Sequence, residues 1–227
     1  MTLDFSFLSE YYQYFIDGTL ITIMISFFGV ILGSFFGSIV CLIRISPIKL
    51  ISFLASAFIE IIRGTPLLVQ LLIVYNGFPM IGINLPTFGG IPGEYIAAIF
   101  ALVVNSSAYI AEILRSGIQS VDKGQMEASR SLGLSYSKTM IFVILPQAIK
   151  NALPSIANEF IVLIKESSIV SFIGIGDLLY NADIVEGATY KAFEPLLIAA
   201  IIYFILTFSL SKLLSLFEKK LHANSAN

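Results

Sequence analysis

The sequence is poor in the residues from which chemical sites are built. It has one cysteine and one histidine in 227 residues. Cys41 lies inside an apolar run and reads as a small buried hydrophobe, so there is no disulfide framework and no Cys/His metal set. His222 lies in a polar tail and reads as solvated. No Ser/His/Asp or Cys/His arrangement can be assembled, which leaves a membrane enzyme as a distant third reading. Charge is scarce as well: 12% of residues are Asp, Glu, Lys or Arg, where a soluble domain needs about 25% to wet its surface. There is no Gly-x-x-x-x-Gly-Lys-Ser/Thr loop, hence no phosphate cradle for ATP on this chain. No lysine or arginine precedes Arg44. A cleavable signal peptide would begin with a basic stretch and carry a shorter apolar run, so the first run is expected to remain as a helix.

What the chain has is hydrocarbon. Hydrophobic residues make up 57% of it and the mean hydropathy is +0.90. They cluster into runs long enough to cross a layer of roughly 30 Å. The expectation is an all-α membrane protein of about five transmembrane helices. Residues 1–17, aromatic and mildly acidic, read as a short helix in the membrane interface. Spans follow at about 18–43, 50–75, 95–111, 154–175 and 195–217, with a polar segment at 112–153 and a tail at 218–227. The first span has no charge, and its Gly29, Gly33 and Gly37 share one face, a surface that lets another helix approach closely. Residues 77–93 and 176–194 read as loops.

The basic residues orient these spans. Of 13, ten fall in the three connections on one side and one, Lys191, on the other; Arg63 and Lys165 lie within spans. Positive residues stay inside. The N-terminus is therefore expected outside, with the segment 112–153 and the C-terminus in the cytoplasm.

The polar segment carries the most specific local signal. Glu127-Ala128-Ser129 is followed by Gly133 and then by Val143-Ile144-Leu145-Pro146. The pattern predicts a helix of about two turns stopped by Gly133 in the left-handed conformation, and a second helix starting at Ser135 as its N-cap. Pro146 and Pro154 are expected to turn the chain back into the membrane.

This spacing resembles the Glu-Ala-Ala motif of the membrane subunits of binding-protein-dependent ABC importers. Glu127, Ala128, Gly133, Leu145 and Pro146 match in register, while Ser129 replaces the second alanine and Val143 an isoleucine. The stretch Arg63-Gly64-Thr65-Pro66, continuing to Gln70, is similar to the polar amino-acid branch of that family, as is Ala108 to Ile118. The resemblance implies the type I importer permease fold in a prokaryotic cell membrane. It implies a second permease subunit (identical or related), a cytoplasmic ABC ATPase dimer that binds the ATP, and an extracytoplasmic substrate-binding protein. It places Glu127, Ala128, Ser129, Arg130 and Gly133 on the ATPase-coupling surface, Arg130 being equally explicable as a solvated charge. No cofactor, metal or nucleic acid is implied for this chain.

Polar residues at membrane depth form the second group. A charge near the bilayer centre costs at least ~2.5 kcal/mol, and Gly64, Thr65 and Pro66 weaken the helix that carries Arg63. Such breaks are tolerated facing protein or a watery cavity. Glu60, Arg63, Thr65, Gln70, Asn105, Ser106, Asn158, Glu159, Lys165 and Glu166 therefore read as a substrate path. Arg63 suits an amino-acid carboxylate, and Glu60 or Glu166 its ammonium. The competing reading pairs Glu60 with Arg63, and Lys165 with Glu166 or Glu159, as internal salt bridges. The acidic residues Asp177, Asp183, Glu186 and Glu194 either meet the binding protein or are simply solvated. A stand-alone channel or ion-coupled carrier is the alternative function; it leaves the Glu-Ala-Ala spacing unexplained.

Overall fold

The computed structural model describes residues 3–83, 85, 87 and 90–223. Every regular element among them is helical. Helix α1 (Leu8–Arg44) is followed by α2 (Lys49–Arg63), α3 (Leu67–Met80) and α4 (Gly93–Gln119). Two short helices, α5 (Lys123–Ser131) and α6 (Tyr136–Thr139), lead through a π-helical turn at Met140–Ile144 into α7 (Leu145–Glu166). A 3₁₀ segment, Ser167–Ile173, continues α7. Helices α8 (Leu178–Thr189) and α9 (Glu194–Ala223) complete the chain.

Helices α1, α4 and α9 are each long and apolar enough to cross a bilayer. Helices α2 and α3 qualify only as a pair, bent by 103° where residues 64–66 interrupt them. Helix α7, where a further span was expected, carries Lys150, Glu159, Lys165 and Glu166 and is not among the described helices apolar enough to cross. Helix α4 is the hub: 61% of its most apolar stretch is buried, against 28% for α1 and 6% for α9. It packs on α1 through small residues. A Cβ on Gly33 would stand 2.7 Å from the Cβ of Ser106, and one on Gly37 would stand 2.8 Å from the carbonyl oxygen of Ser107. The glycine face read from the sequence thus meets α4. Around that seam Ile25, Leu71, Ala101, Leu102, Leu163 and Val170 form one apolar core drawn from five segments.

Several elements differ from the sequence reading. Residues 8–17 and the first span are one 37-residue helix; an aromatic, acidic stretch changes the surroundings of a helix without breaking its hydrogen bonds. The region 176–194 holds α8, whose capping residue Asp177 accepts from the backbone N–H of Tyr180 at 2.9 Å. Pro154 lies inside α7 rather than at its start, which is nearer Pro146. Proline at 146 has no N–H to give and crowds the carbonyl four residues back. The preceding turn widens to accommodate it, Leu145 N–H reaching Met140 O in a five-residue step.

Candidate translocation path and coupling helix

Pro66 drives Thr65 out of the helical region and removes a backbone donor, so α2 stops at Arg63 and α3 begins at Leu67. The carbonyls freed by this break need partners. Gln70 supplies them: its Nε2 donates to Ile62 O at 2.7 Å, to Thr65 O at 3.1 Å and to Thr65 Oγ1 at 2.9 Å. Its Oε1 accepts from Asn105 Nδ2 at 3.0 Å, tying the break to α4. Gln70 and Asn105 are buried, and their geometry is that of a staple across the bend. Asn105 Oδ1 and Ser106 Oγ are buried without a hydrogen-bond partner among the described residues. Ser106 sits in the α1–α4 seam against Gly33.

Arg63 is exposed beside the bend, its guanidinium 5.3 Å from the centre of the Tyr109 ring. It makes no ion pair among the described residues, and neither do Glu60, Glu159, Lys165 or Glu166. The internal pairings weighed above are therefore not formed. Arg63 and Tyr109 line a cavity of about 390 Å³ with Glu112, Ser116, Asn151 and Ser155. Of the ten path residues named from the sequence, this cavity includes Arg63 alone. Asn158, Lys165 and Glu166 continue along the same exposed face of α7 as Asn151 and Ser155, following the three- and four-residue steps of a helix. Glu159 is buried, at 7% exposed. Glu60, one turn before Arg63 on α2, and Thr65, in the break itself, are exposed.

Glu112 went unremarked as a functional residue in the sequence reading. Its Oε2 accepts from Arg44 Nη1 at 2.5 Å and from Arg115 Nε at 3.0 Å, while Oε1 accepts from Arg115 Nη2. This cluster holds the end of α1 to α4 on the cavity wall. The Arg115 pairing, three residues away on one helix, was open to sequence inspection; the Arg44 partner, 68 residues distant, was not.

Helix α5 is built as its spacing demands. Asp122 caps its start, accepting from Gly124 N–H at 2.7 Å. At its end Gly133 adopts φ +87°, Gly133 N–H donates to Arg130 O at 3.0 Å and Leu134 N–H donates to Ser129 O at 3.2 Å. These two bonds satisfy the last carbonyls and turn the chain, a job only a residue without Cβ does cheaply. Glu127, Ala128 and Arg130 are exposed. Ser129 is not: it is 7% exposed and its hydroxyl donates to Gln125 O. It faces inward, so the outward surface of the motif excludes it. Ser135 caps α6 as expected, accepting from Lys138 N–H at 3.4 Å.

Residues 29–223 match the family model of the binding-protein-dependent transport system inner membrane component. The chain belongs to this family. It is 41% identical over 99% of its length to all of the arginine transport system permease protein ArtQ of Bacillus subtilis. It is 39% identical over 97% of its length to all of the putative glutamine transport system permease protein GlnP of Rickettsia conorii. Among solved structures, an amino acid ABC transporter crystallised with histidines superposes with a TM-score of 0.90 at 51% identity, covering 97% of this chain and all of that one. The inward-facing MetNI methionine ABC transporter, at 19% identity and a TM-score of 0.76 over 96% of this chain, shares the fold. The fold is therefore that of a type I ABC importer permease. Members of the family are transport components rather than enzymes, ATP hydrolysis belonging to a separate subunit.

Proposed function

We propose that this chain forms the membrane path of an importer for a polar amino acid, in a bacterial cell membrane, and works as one of a pair of permease subunits. An ATPase dimer docks on α5 from the cytoplasm, and an extracytoplasmic binding protein delivers the cargo at the α8 end. The chain holds no cofactor itself. The observation that carries the reading is the helix α5, capped at both ends and presenting Glu127, Ala128 and Arg130 to solvent. A nine-residue helix with only Ser129 buried contributes little to the core; its rigidity and exposure suit a partner's groove.

The polar face of α7 supports the pairing. Asn151, Ser155, Asn158, Lys165 and Glu166 are exposed, and side chains of this kind do not face lipid at membrane depth. A second permease and a watery path between the two would cover them. Arg63 would meet the substrate carboxylate, with Glu60 or Glu166 near its ammonium. Thr65, Gln70 and Asn105 form the framework of the bend, and Ser106 lies in the α1–α4 seam beside it.

Co-expression of the chain with its ATPase tests the coupling. Replacing Glu127 by Lys is expected to abolish co-purification while leaving the permease folded; a complex that survives intact removes α5 from the interface. For the path, Arg63→Gln is expected to raise the substrate concentration needed for half-maximal uptake at least tenfold. Unchanged uptake and unchanged substrate-stimulated ATPase activity would exclude a ligand role.

A further inference from the structure

We propose that the groove between α1, α7 and α9 is a binding site for one phospholipid, its acyl chain in the groove and its phosphate at Lys150. The groove measures about 590 Å³ and is lined by Phe27, Val30, Leu153, Phe160, Leu210 and Phe217 among others; Ser34 is the one polar residue among its described lining. It opens where α9, resting against α7 and α8, parts from α1 beyond the cluster that holds Phe15 and Ala199. Across its floor Phe27 of α1 meets Phe160 of α7 edge to face, with ring centres 6.5 Å apart.

One end of this groove carries a cation. On α7 the lining residues Leu153, Ala157 and Phe160 recur at three- and four-residue steps, and Lys150 is the next step on that face. Lys150 is half-buried and has no ion pair among the described residues; Glu218, one turn beyond the lining residue Leu214, makes none with it. A half-buried lysine one helical step from an apolar slot matches the two parts of a phospholipid, whose phosphate and chain are joined at the same boundary. A lysine can bury its stem along the slot and keep its charge at the headgroup.

A second groove makes the contrast. Between α1, α2 and α4 lies an equally apolar slot of about 460 Å³, lined by Phe36, Val40, Phe58 and Phe100. Arg44, one turn beyond Val40, would be its cation, but Arg44 is committed to Glu112. Along α1, that slot ends on a charge already paired. The α1–α7–α9 groove differs by an unspent charge at its mouth.

The full chain, purified in mild detergent from membranes and from vesicles of defined phospholipid, provides the test by native mass spectrometry and phospholipid extraction. One phospholipid per chain is expected to be retained. Lys150→Gln is expected to lower that retention at least fivefold, Lys150→Arg to preserve it, and Ala157→Phe, which fills the slot, to lower it as far as Lys150→Gln does. Retention unchanged in Lys150→Gln overturns the proposal even if Ala157→Phe fails to fold. A photoreactive residue at Leu213 is expected to couple to lipid; coupling instead to a second permease chain would assign the groove to protein and overturn it too. These readouts do not depend on the cargo, so a wrong substrate assignment would leave them unchanged.

Discussion

Helix α8 and helix α5 are both short, and both lie outside the long spans, yet they are held in different ways. Helix α8 is tied down on three sides. Asp177, fully buried, caps it and also accepts from the Tyr203 hydroxyl of α9 at 3.4 Å, while Leu178 N–H donates to Thr22 Oγ1 of α1 at 3.1 Å. Leu178, Ala182 and Val185 pack against Phe7, Phe15 and Ala199. Beside it, Lys191 binds the Asp4 carboxylate at 2.5 Å and lies over the Phe7 ring, closing the N-terminal segment onto α8. Helix α5 has capping bonds at its two ends and one apolar foot, where Met126 packs with Val121, Ile144 and Ala148. One end of the molecule is finished within the chain. The other offers a preformed helix whose outer face is left for something else to bury.

Matched substitutions should expose that difference. Ala182→Leu forces three carbons into a site with no free surface, and we expect a cost of about 3 kcal/mol, read as a fall in thermal stability in detergent. The same change at exposed Ala128 should leave stability within about 0.5 kcal/mol and instead weaken co-purification with the ATPase. Equal destabilisation at both sites would erase the contrast.

The next effect depends on pH. Burial pushes the Asp177 carboxyl up to about 6, against about 3.9 in an unfolded chain. The folded state therefore binds this proton more tightly. Its contribution to stability is greatest below about pH 4, falls as pH rises to about 6, and is level above that. The total change is about 2–3 kcal/mol. Asp177→Asn keeps the cap and should flatten this part of the stability profile. A profile identical to the parent's would show that Asp177 is not the group responsible.

A smaller change is expected at Gly133. Valine there must adopt a left-handed backbone, at about 1–2 kcal/mol, and the turn at the end of α5 should loosen. Stability falls modestly while ATPase association falls sharply; a loss confined to stability would mean that the turn has no part in docking. Last, Lys191→Ala removes the clasp on Asp4, whose carboxyl the Lys191 ammonium holds well below the usual carboxylate range. Asp4 is open to solvent, so screening keeps the effect small. The melting temperature should barely move, and a large drop would show that the N-terminal segment matters more to α8 than its contacts imply.

The α5 end was far more legible in the sequence than the α8 end. Gly133 and Ser135 act through their own backbone conformation or their nearest neighbours, so spacing along the chain was enough to read them. Its cap Asp177 is the one local mark of α8 named above; the helix has no strong apolar face of its own and is stabilised by residues 156 positions away, such as Thr22. Gln70 shows the same limit at the path. Its sequence position placed it among polar residues at membrane depth, but whether it meets cargo or carbonyls depended on how α2 and α3 bend. Ser106 likewise reads as polar and central, and the close approach of Gly33 places it in a helix seam.

By itself the sequence determined that the chain is helical, that its runs match the thickness of a bilayer, that Gly133 turns the chain just after α5, and that the Gly-x-x-x-x-Gly-Lys-Ser/Thr loop is missing. Each of these follows from composition or from contacts a few residues apart. Only the tertiary structure decided which charges are spent and which are free. Glu112 takes both Arg44 and Arg115, while Arg63 has no carboxylate partner among the described residues. Those choices depend on where helices cross, and crossing is set by the packing of small residues such as Gly33 against α4, which no local pattern of charge records.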